Sequence, residues 1–388
     1  MFTLLNIYPV EWRIQRPALG GFERGTLYGY LIKYQHFTIV PFSLRHLIQK
    51  KRKEMKRKST KLLFLVLVCS LFITIPAANA AERIFKLLTL NLLFSEPSTS
   101  PSSGGVGRFD SIAKFILEEN IDCVLCQEVV GGMLAKELGW IEMLNSSLEL
   151  KSKLGDDYKL RYRLANGFPL LLSVGNAILC KKPIDIKWTV AKFLPFAYEI
   201  TFNKIDIKLR RKIMGCLLDV PDFGRLLLFN VHFCAYCPTG QRQAQINKAL
   251  GFIERVKNCV RWFYGDVPCV FGGDFNIQDA PKGSLDSAAD EYNLITGAGF
   301  IDAYAGTNGC VFQTDCCIPE DDPLTVEPGC TFAVDDNHFE NDPLQTTRID
   351  YFFLQELTAD SAYAVFNSER GPFVSDHSGL VVEMSPWD

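Results

Sequence analysis

Histidine is scarce in this chain, with five in 388 residues. His36 and His46 lie near the start, so imidazole chemistry in the remainder falls to His232, His338 and His377. So few ring nitrogens argue against a histidine-built metal centre and favour oxygen donors for any bound ion. Cations also run short once the first 80 residues are set aside. Those residues hold 13 of the 41 Lys+Arg and 3 of the 44 Asp+Glu, leaving 28 basic against 41 acidic residues, a net charge of −13 behind the overall −3. An acidic body argues against loose binding to phosphate backbones, which relies on Lys and Arg. It does not exclude a nuclease whose metal ion supplies positive charge locally. No apolar run reaches the roughly 20 residues that cross a bilayer. No internal repeat or clear linker follows residue 80.

What is present is enough to fold. Hydrophobic content of 48% and charged content of 22% suit a globular protein with a sizeable core. Lys50-Lys51-Arg52-Lys53-Glu54-Met55-Lys56-Arg57-Lys58 is a basic block, residues 62–75 are almost wholly apolar, and Pro76 then Ala78-Asn79-Ala80 follow. Basic, apolar, then A-x-A is the order of a secretory signal peptide. The competing readings are a buried helix and an uncleaved anchor; the charge block disfavours the first and the short run the second. A signal belongs at an N-terminus, so the expectation is translation from Met55, with 1–54 a mis-assigned extension, 55–80 a signal and 81–388 one catalytic domain. The product is then secreted or periplasmic.

Twelve of the 13 cysteines follow the signal, where disulfides are permitted. Cys310, Cys316, Cys317 and Cys330 cluster in one loop-like region and Cys259 and Cys269 flank a short connection; some of these are expected to pair, with a connectivity that sequence does not give. Cys123-x-x-Cys126 and Cys234-x-x-Cys237 resemble zinc spacings only superficially. The first pair sits on a strand, where an odd offset puts side chains on opposite faces, and the two pairs are too far apart for a zinc ribbon.

Hydrophobic spacing predicts strands at 84–90, 122–128, several within 158–220, then 226–232, 267–271, 349–354 and 380–384. Helices are predicted at 109–117, near 133–144, and at 240–256 and 288–295. Gly272-Gly273 reads as a turn after its strand. Strands outnumber helices and alternate with them irregularly, which favours an α/β architecture of two packed sheets with helices outside.

Polar residues collect at the ends of these strands. Asn91 ends the first; alone, it is a turn former. Glu128 ends Val124-Leu125-Cys126-Gln127-Glu128, and a carboxylate there is as well explained by solvation as by function. Asn230 and His232 share one face at a period of two, although a lone core histidine is the commoner case. Asp274 and Asn276 follow two glycines that let a ligand approach the backbone. Asp350, in Arg348-Ile349-Asp350-Tyr351, can orient an imidazole; otherwise Arg348 and Asp350 form a surface pair. Asp376-His377 precedes the last strand. An imidazole beside a carboxylate, with a second carboxylate on another segment, is what attack of water on a phosphoester requires.

The ordered set Leu90-Asn91, Gln127-Glu128, Asn176-Ala177-Ile178-Leu179, Asn230-x-His232, Gly273-Asp274-Phe275-Asn276, Gly299-Phe300-Ile301-Asp302-Ala303-Tyr304, Arg348-Ile349-Asp350-Tyr351 and Ser375-Asp376-His377 resembles the endonuclease/exonuclease/phosphatase superfamily over about residues 84–385. The resemblance implies a four-layer α/β sandwich, two packed mixed β-sheets flanked by helices, and magnesium-dependent phosphoester hydrolysis, with manganese as the substitute ion. It implies Glu128 as chief metal ligand, supported by Asn91 and Asp376. It further implies that His377 activates or orients the attacking water or stabilises the phosphorane-like oxygen, that Asp350 orients His377, that Asp274 positions the water, and that Asn276 and His232 hold phosphate oxygens. Leu93 stands where some nucleases of the family carry an acid.

Three functions remain distinct. The first is a secreted phosphodiesterase similar to neutral and bacterial sphingomyelinases. Gly329-Cys330-Thr331-Phe332, then Pro343-Leu344 and Arg348-Ile349-Asp350-Tyr351-Phe352, resemble the stretch before the late acid in those enzymes. Phe168-Pro169-Leu170-Leu171-Leu172 is a candidate for transient membrane-surface contact, although a core strand explains it better. The second is a secreted nuclease gripping phosphates with Arg210-Arg211-Lys212 and Arg242. The third is a catalytically inactive binding protein, against which the full acid and imidazole set speaks. No obligate protein partner is evident.

Overall fold

The computed structural model describes residues 8–11, 28–31, 83–93, 107–131, 146–167, 173–202, 205–235, 237–277, 285–310, 329–333, 345–367 and 370–386. The signal segment, the helix expected near 133–144, the 168–172 loop, Cys316 and Cys317 fall outside them. The chain divides into two compact units, Met1–Ala78 and Asn79–Asp388. In the first, β1 (Tyr8–Glu11) pairs antiparallel with β2 (Tyr28–Leu31).

The second unit holds two mixed six-stranded sheets. One runs β15 (Ser361–Val365), β16 (Gly379–Met384), β3 (Phe85–Asn91), β4 (Cys123–Gly131), β6 (Ser173–Lys181), β5 (Tyr158–Gly167). The other runs β11 (Ile301–Asp302), β14 (Asp350–Gln355), β10 (Cys269–Asp274), β9 (Gly224–His232), β8 (Ile205–Val220), β7 (Asp185–Phe202). A short ribbon pairs β12 (Phe332–Ala333) with β13 (Gln345–Thr347). The helices are α1 (Arg108–Glu118), α2 (Ser146–Leu154), α3 (Thr239–Tyr264), α4 (Leu285–Thr296) and α5 (Ala303–Asn308).

Strands covered on both faces explain the near-continuous apolar runs in the sequence. Along β4, Cys123 and Leu125 point between the sheets and meet Ile178, Leu228, Val270 and Phe352 in the central core. Val124 and Cys126 point the other way and join Phe109, Ile112, Ile116 and Leu150 of α1 and α2. The opposite sheet packs Phe229, Phe271 and Phe353 against Ile246, Ala249 and Ile253 of α3. The result is helix, sheet, sheet, helix, the expected four-layer sandwich.

The cysteines follow this geometry. Cys123 bonds to its cross-strand partner Cys180, while Cys126, on the other face, is buried and free. Cys234 pairs with Cys237, and Cys310 and Cys330 are each disulfide-bonded. Of the cysteines among which some pairing is expected, Cys310 and Cys330 are therefore bonded, whereas Cys259 and Cys269 are free. α3 continues to Tyr264, so Cys259 sits on its exposed side while Cys269 opens a buried strand.

Two β-α-β units set the polarity of the sandwich. β3 and β4 run parallel with α1 between them in sequence, as do β9 and β10 with α3. Their carboxyl ends therefore share one pole, where sites collect in α/β sheets. β14 is antiparallel to β10 and starts at that pole.

Arg348 corrects the surface-pair reading. Its Nη1 and Nη2 donate to Asp302 at 3.1 and 2.8 Å, and both residues are buried. Asp302 also accepts the Tyr304 and Ala305 amides and so caps α5. Arg348→Met should cost about 3–5 kcal/mol, because it strands a buried carboxylate. Urea denaturation with an unchanged slope measures it.

Candidate active site

Asn91 ends β3 and donates from Nδ2 to Asp274 Oδ2 at 3.0 Å. Its Oδ1 accepts the Leu93 amide at 3.0 Å. Glu128 sits in a β-bulge, because the β4–β6 register shifts between Cys126 and Val129. Its φ of 51° is unusual for a glutamate. Such a bulge re-aims a side chain that regular alternation would send elsewhere.

The paired glycines lie inside β10 rather than in a turn. Gly272 and Gly273 pair with Phe352 and Tyr351 of β14 and with Asn230 and Val231 of β9. Side chains are excluded there: a Cβ on Gly273, whose φ is 136°, would lie 2.1 Å from the Val231 carbonyl oxygen. This close fit carries the strand on to Asp274, level with His232 and Asp350. Asn276, at φ 50°, follows; its amide donates to Asp274 Oδ1 at 3.0 Å and its Nδ2 to the Phe233 carbonyl at 3.1 Å.

The side chains converge from segments far apart in sequence. His232 Nε2 lies 3.3 Å from Asp274 Oδ2 and 3.9 Å from Glu128 Oε1. His377 Nε2 lies 3.9 Å from the same Asp274 oxygen. His377 Nδ1 contacts Asp350 Oδ2 at 2.8 Å. Glu128 and His377 thus belong to one cluster. Asp376 is near enough for its charge to act on both. Asp350 is fixed in turn, since the Ile349 and Asp350 amides donate to Thr331 Oγ1 at 3.0 and 3.1 Å.

Arg211 completes the cluster, with Nη1 3.1 Å from His232 Nδ1. A guanidinium only donates. Nδ1 is therefore the acceptor, and the His232 proton sits on Nε2, facing the carboxylates. From sequence Arg211 stood in a three-cation run; its position beside the histidine strand emerges only from the β8–β9 pairing. The rest of the expected phosphate grip is engaged elsewhere. Lys212 lies over the Phe193 ring and donates to the Leu164 carbonyl, and the Arg210 guanidinium lies 5.8 Å from the centre of the same ring. Arg242 Nε binds buried Glu291 at 2.8 Å, tying α3 to α4. Beneath the cluster, Gln127 Nε2 donates to Asn230 Oδ1 at 2.8 Å, and Asn230 Nδ2 donates to the Cys126 and Ala177 carbonyls, bracing the two sheets.

The electrostatics are governed first by burial. Burial pushes Glu128 up to about 7; Arg211 and His377 oppose this, and Asp376 and Asp274 add to it. Burial likewise raises Asp274 to about 7, with His377 opposing and Asp350 adding. Burial disfavours a charged His377, yet Asp350, Asp376 and Asp274 together raise it to about 10, so it is an imidazolium at neutral pH. Burial, Arg211 and His377 hold His232 well below its ordinary value, so it is neutral.

These residues fit a hard divalent cation. Glu128, Asp376 and Asn91 offer carboxylate and amide oxygens, the donors magnesium prefers, and burial of Glu128 and Asp274 raises a desolvation cost that a bound cation would offset. Asp274, Asp350 and His377 also have ligand atoms within 4.8 Å of one another. The 2.8 Å His377–Asp350 contact, however, is a charge-assisted hydrogen bond, and it suits a proton-holding chain better than chelation. Asp350 Oδ1 and Arg211 Nε are buried without a partner among the described residues.

No protein-family model matches the sequence, and no curated protein matches it. Solved structures do match in fold. An endonuclease/exonuclease/phosphatase family protein from Leptotrichia buccalis aligns with a TM-score of 0.52 and 22% identity, over 78% of this chain and 99% of that one. The chain has the endonuclease/exonuclease/phosphatase fold. A protein of that description from Beutenbergia cavernae gives a TM-score of 0.52 and 19% identity over 79% of this chain and 72% of its own. The mannosyl-6-phosphatase Bt3783 of Bacteroides thetaiotaomicron gives 0.50 and 19% over 77% and 99%. At these identities the likeness carries the endonuclease/exonuclease/phosphatase fold alone.

Proposed function

We propose that this chain is a magnesium-dependent phosphodiesterase. The observation that carries the reading is the convergence of Asn91, Glu128, His232, Asp274, Asp350 and His377 within a few ångströms at one pole. Glu128, with Asn91 and Asp376, would hold magnesium, or manganese in its place. A bound divalent ion supplies Lewis-acid charge to a phosphoryl oxygen and to the leaving oxygen. Asp274, held by Asn91 and the Asn276 amide, orients the attacking water and takes its proton. His377, as an imidazolium fixed by Asp350, stabilises charge on the phosphoryl group. His232 Nε2–H, Arg211 and Asn276 bind its remaining oxygens.

A lipid head group is the favoured substrate class. The stretch from Gly329 to Phe352 resembles sphingomyelinases, and Phe332 borders the His377 ring at 4.9 Å. A polynucleotide needs a longer row of cations, and of the four candidate cations Arg211 contacts the site, whereas Arg210 and Lys212 lie over Phe193 and Arg242 binds Glu291. Delivery by segment 55–80 to a secreted or periplasmic location belongs to the same proposal.

The test compares phosphocholine release from sphingomyelin with nicking of plasmid DNA, each with and without chelator. Lipid turnover abolished by chelator is expected; nicking alone would replace the lipid substrate with a nucleic acid, and the lack of both activities would refute the enzyme. The magnesium requirement should depend on pH. Glu128 must lose its proton before it binds a cation, and its raised value places that competition near 7. The half-saturating magnesium concentration should be flat above about pH 8 and rise by up to about tenfold per unit below 7.

A further inference from the structure

The segment joining β9 to α3 contains a crosslink that the proposed mechanism does not use. Cys234, two residues beyond His232, is disulfide-bonded to Cys237, and both are buried. The same segment touches the site twice. The Phe233 amide donates to the Asp274 carbonyl at 2.9 Å, and the Phe233 carbonyl accepts from Asn276 Nδ2 at 3.1 Å.

Side chains of α3 hold the segment from behind. Buried Gln245 accepts the Cys234 amide at 3.1 Å and donates to the Pro195 carbonyl at 3.0 Å. Arg242 Nη1 donates to the Cys234 and Ala235 carbonyls at 3.3 and 3.4 Å, while its Nε is anchored on Glu291. These bonds require the Cys234 amide and two successive carbonyls to face α3. With the sulfurs joined, the chain from Cys234 to Cys237 has few other conformations; with free thiols it has many.

We propose that the Cys234–Cys237 crosslink is a positioning element that holds His232 and Asn276 in place, so that the site assembles fully only after these two thiols are oxidised. This rests on the phosphodiesterase reading of the same site. The oxidation is an exchange with an external disulfide: one bond forms between the two protein sulfurs, the external one breaks, and two electrons and two protons end on the oxidant, which leaves as two thiols. A chain made in a reducing compartment would stay poorly active until it reached an oxidising one.

The test uses the full chain and a second crosslink as control. Cys123–Cys180 sits at the amino end of β4, the pole away from the site. For C234S/C237S, kcat should fall by about tenfold or more, the range for groups that orient a site from behind, and KM should rise, since His232 and Asn276 bind phosphoryl oxygens. The imidazole signals of His232 should move in the nitrogen–proton NMR spectrum, and dithiothreitol should have no further effect on kcat. C123S/C180S should melt earlier yet keep wild-type kcat and His232 signals. Should the double variant not fold, C237S alone, at the more exposed cysteine, carries the same test. Wild-type kcat and unmoved His232 signals in C234S/C237S would overturn the proposal. If the wild type hydrolyses nothing, the phosphodiesterase reading fails by itself. The His232 signals then still decide, moved supporting positioning and unmoved overturning it.

Discussion

Glu128→Gln should reduce phosphodiester turnover about a thousandfold in saturating magnesium, the scale expected when charge stabilisation at a phosphoryl group is removed. The substitution keeps the shape of the side chain and takes away its charge. It should also stabilise the fold. Glu128 is raised from 4.5 to about 7 by burial among other acids. A group raised in the folded state contributes stability in full below its unfolded value and loses it as pH rises through the folded one. Ionised Glu128 is thus a liability above pH 7, on the order of 3 kcal/mol without metal. E128Q should therefore melt higher than wild type at pH 8 in chelator, and the difference should shrink between about 7 and 4.5 and vanish below. Loss of activity with a gain in stability separates a ligand from a structural residue. Full activity in E128Q would sink the metal site.

The sequence carried the fold further than it carried the site. Apolar strands read correctly because both faces of each sheet are covered, so β4, β9 and β14 appear as unbroken runs. The glycine pair misled, because Gly272-Gly273 has the chemistry of a turn. Its use as a slot inside β10, below the Val231 carbonyl, depends on neighbours distant in sequence. Which cysteines stay free is hidden for a related reason: α3 runs on to Tyr264, which turns the short connection between Cys259 and Cys269 into two environments. Strand-end acids and imidazoles stood out because each interrupts an apolar run. Arg211 is legible only as one of three adjacent cations, and its place beside His232 appears when β8 pairs with β9. The bulge at Glu128 was equally invisible, because an extra residue in a strand shows only against its partner's register.

His377→Ala should lower kcat by about a thousandfold, within the range for a positioned acid or base. The informative variant is Asp350→Asn, which separates an acid from a base. Asp350 is the leading charge that raises His377 to about 10 against its burial. If His377 acts as an imidazolium, activity falls as pH rises through that value. The D350N substitution would leave Asp376 and Asp274 to oppose burial alone, so the imidazole would lose its proton at lower pH. The alkaline limb of the kcat profile should then move down by more than about a unit, while kcat at its optimum falls about 10–100-fold. Stability follows the same sign. A histidine raised by a partner contributes in full below about 6.5 and loses that contribution as pH rises through about 10. D350N should consequently destabilise the fold at about pH 6 and much less at about pH 10.5. An alkaline limb that stays in place would mean that His377 works neutral, as the base, and Asp274 would lose the proton-accepting role proposed for it.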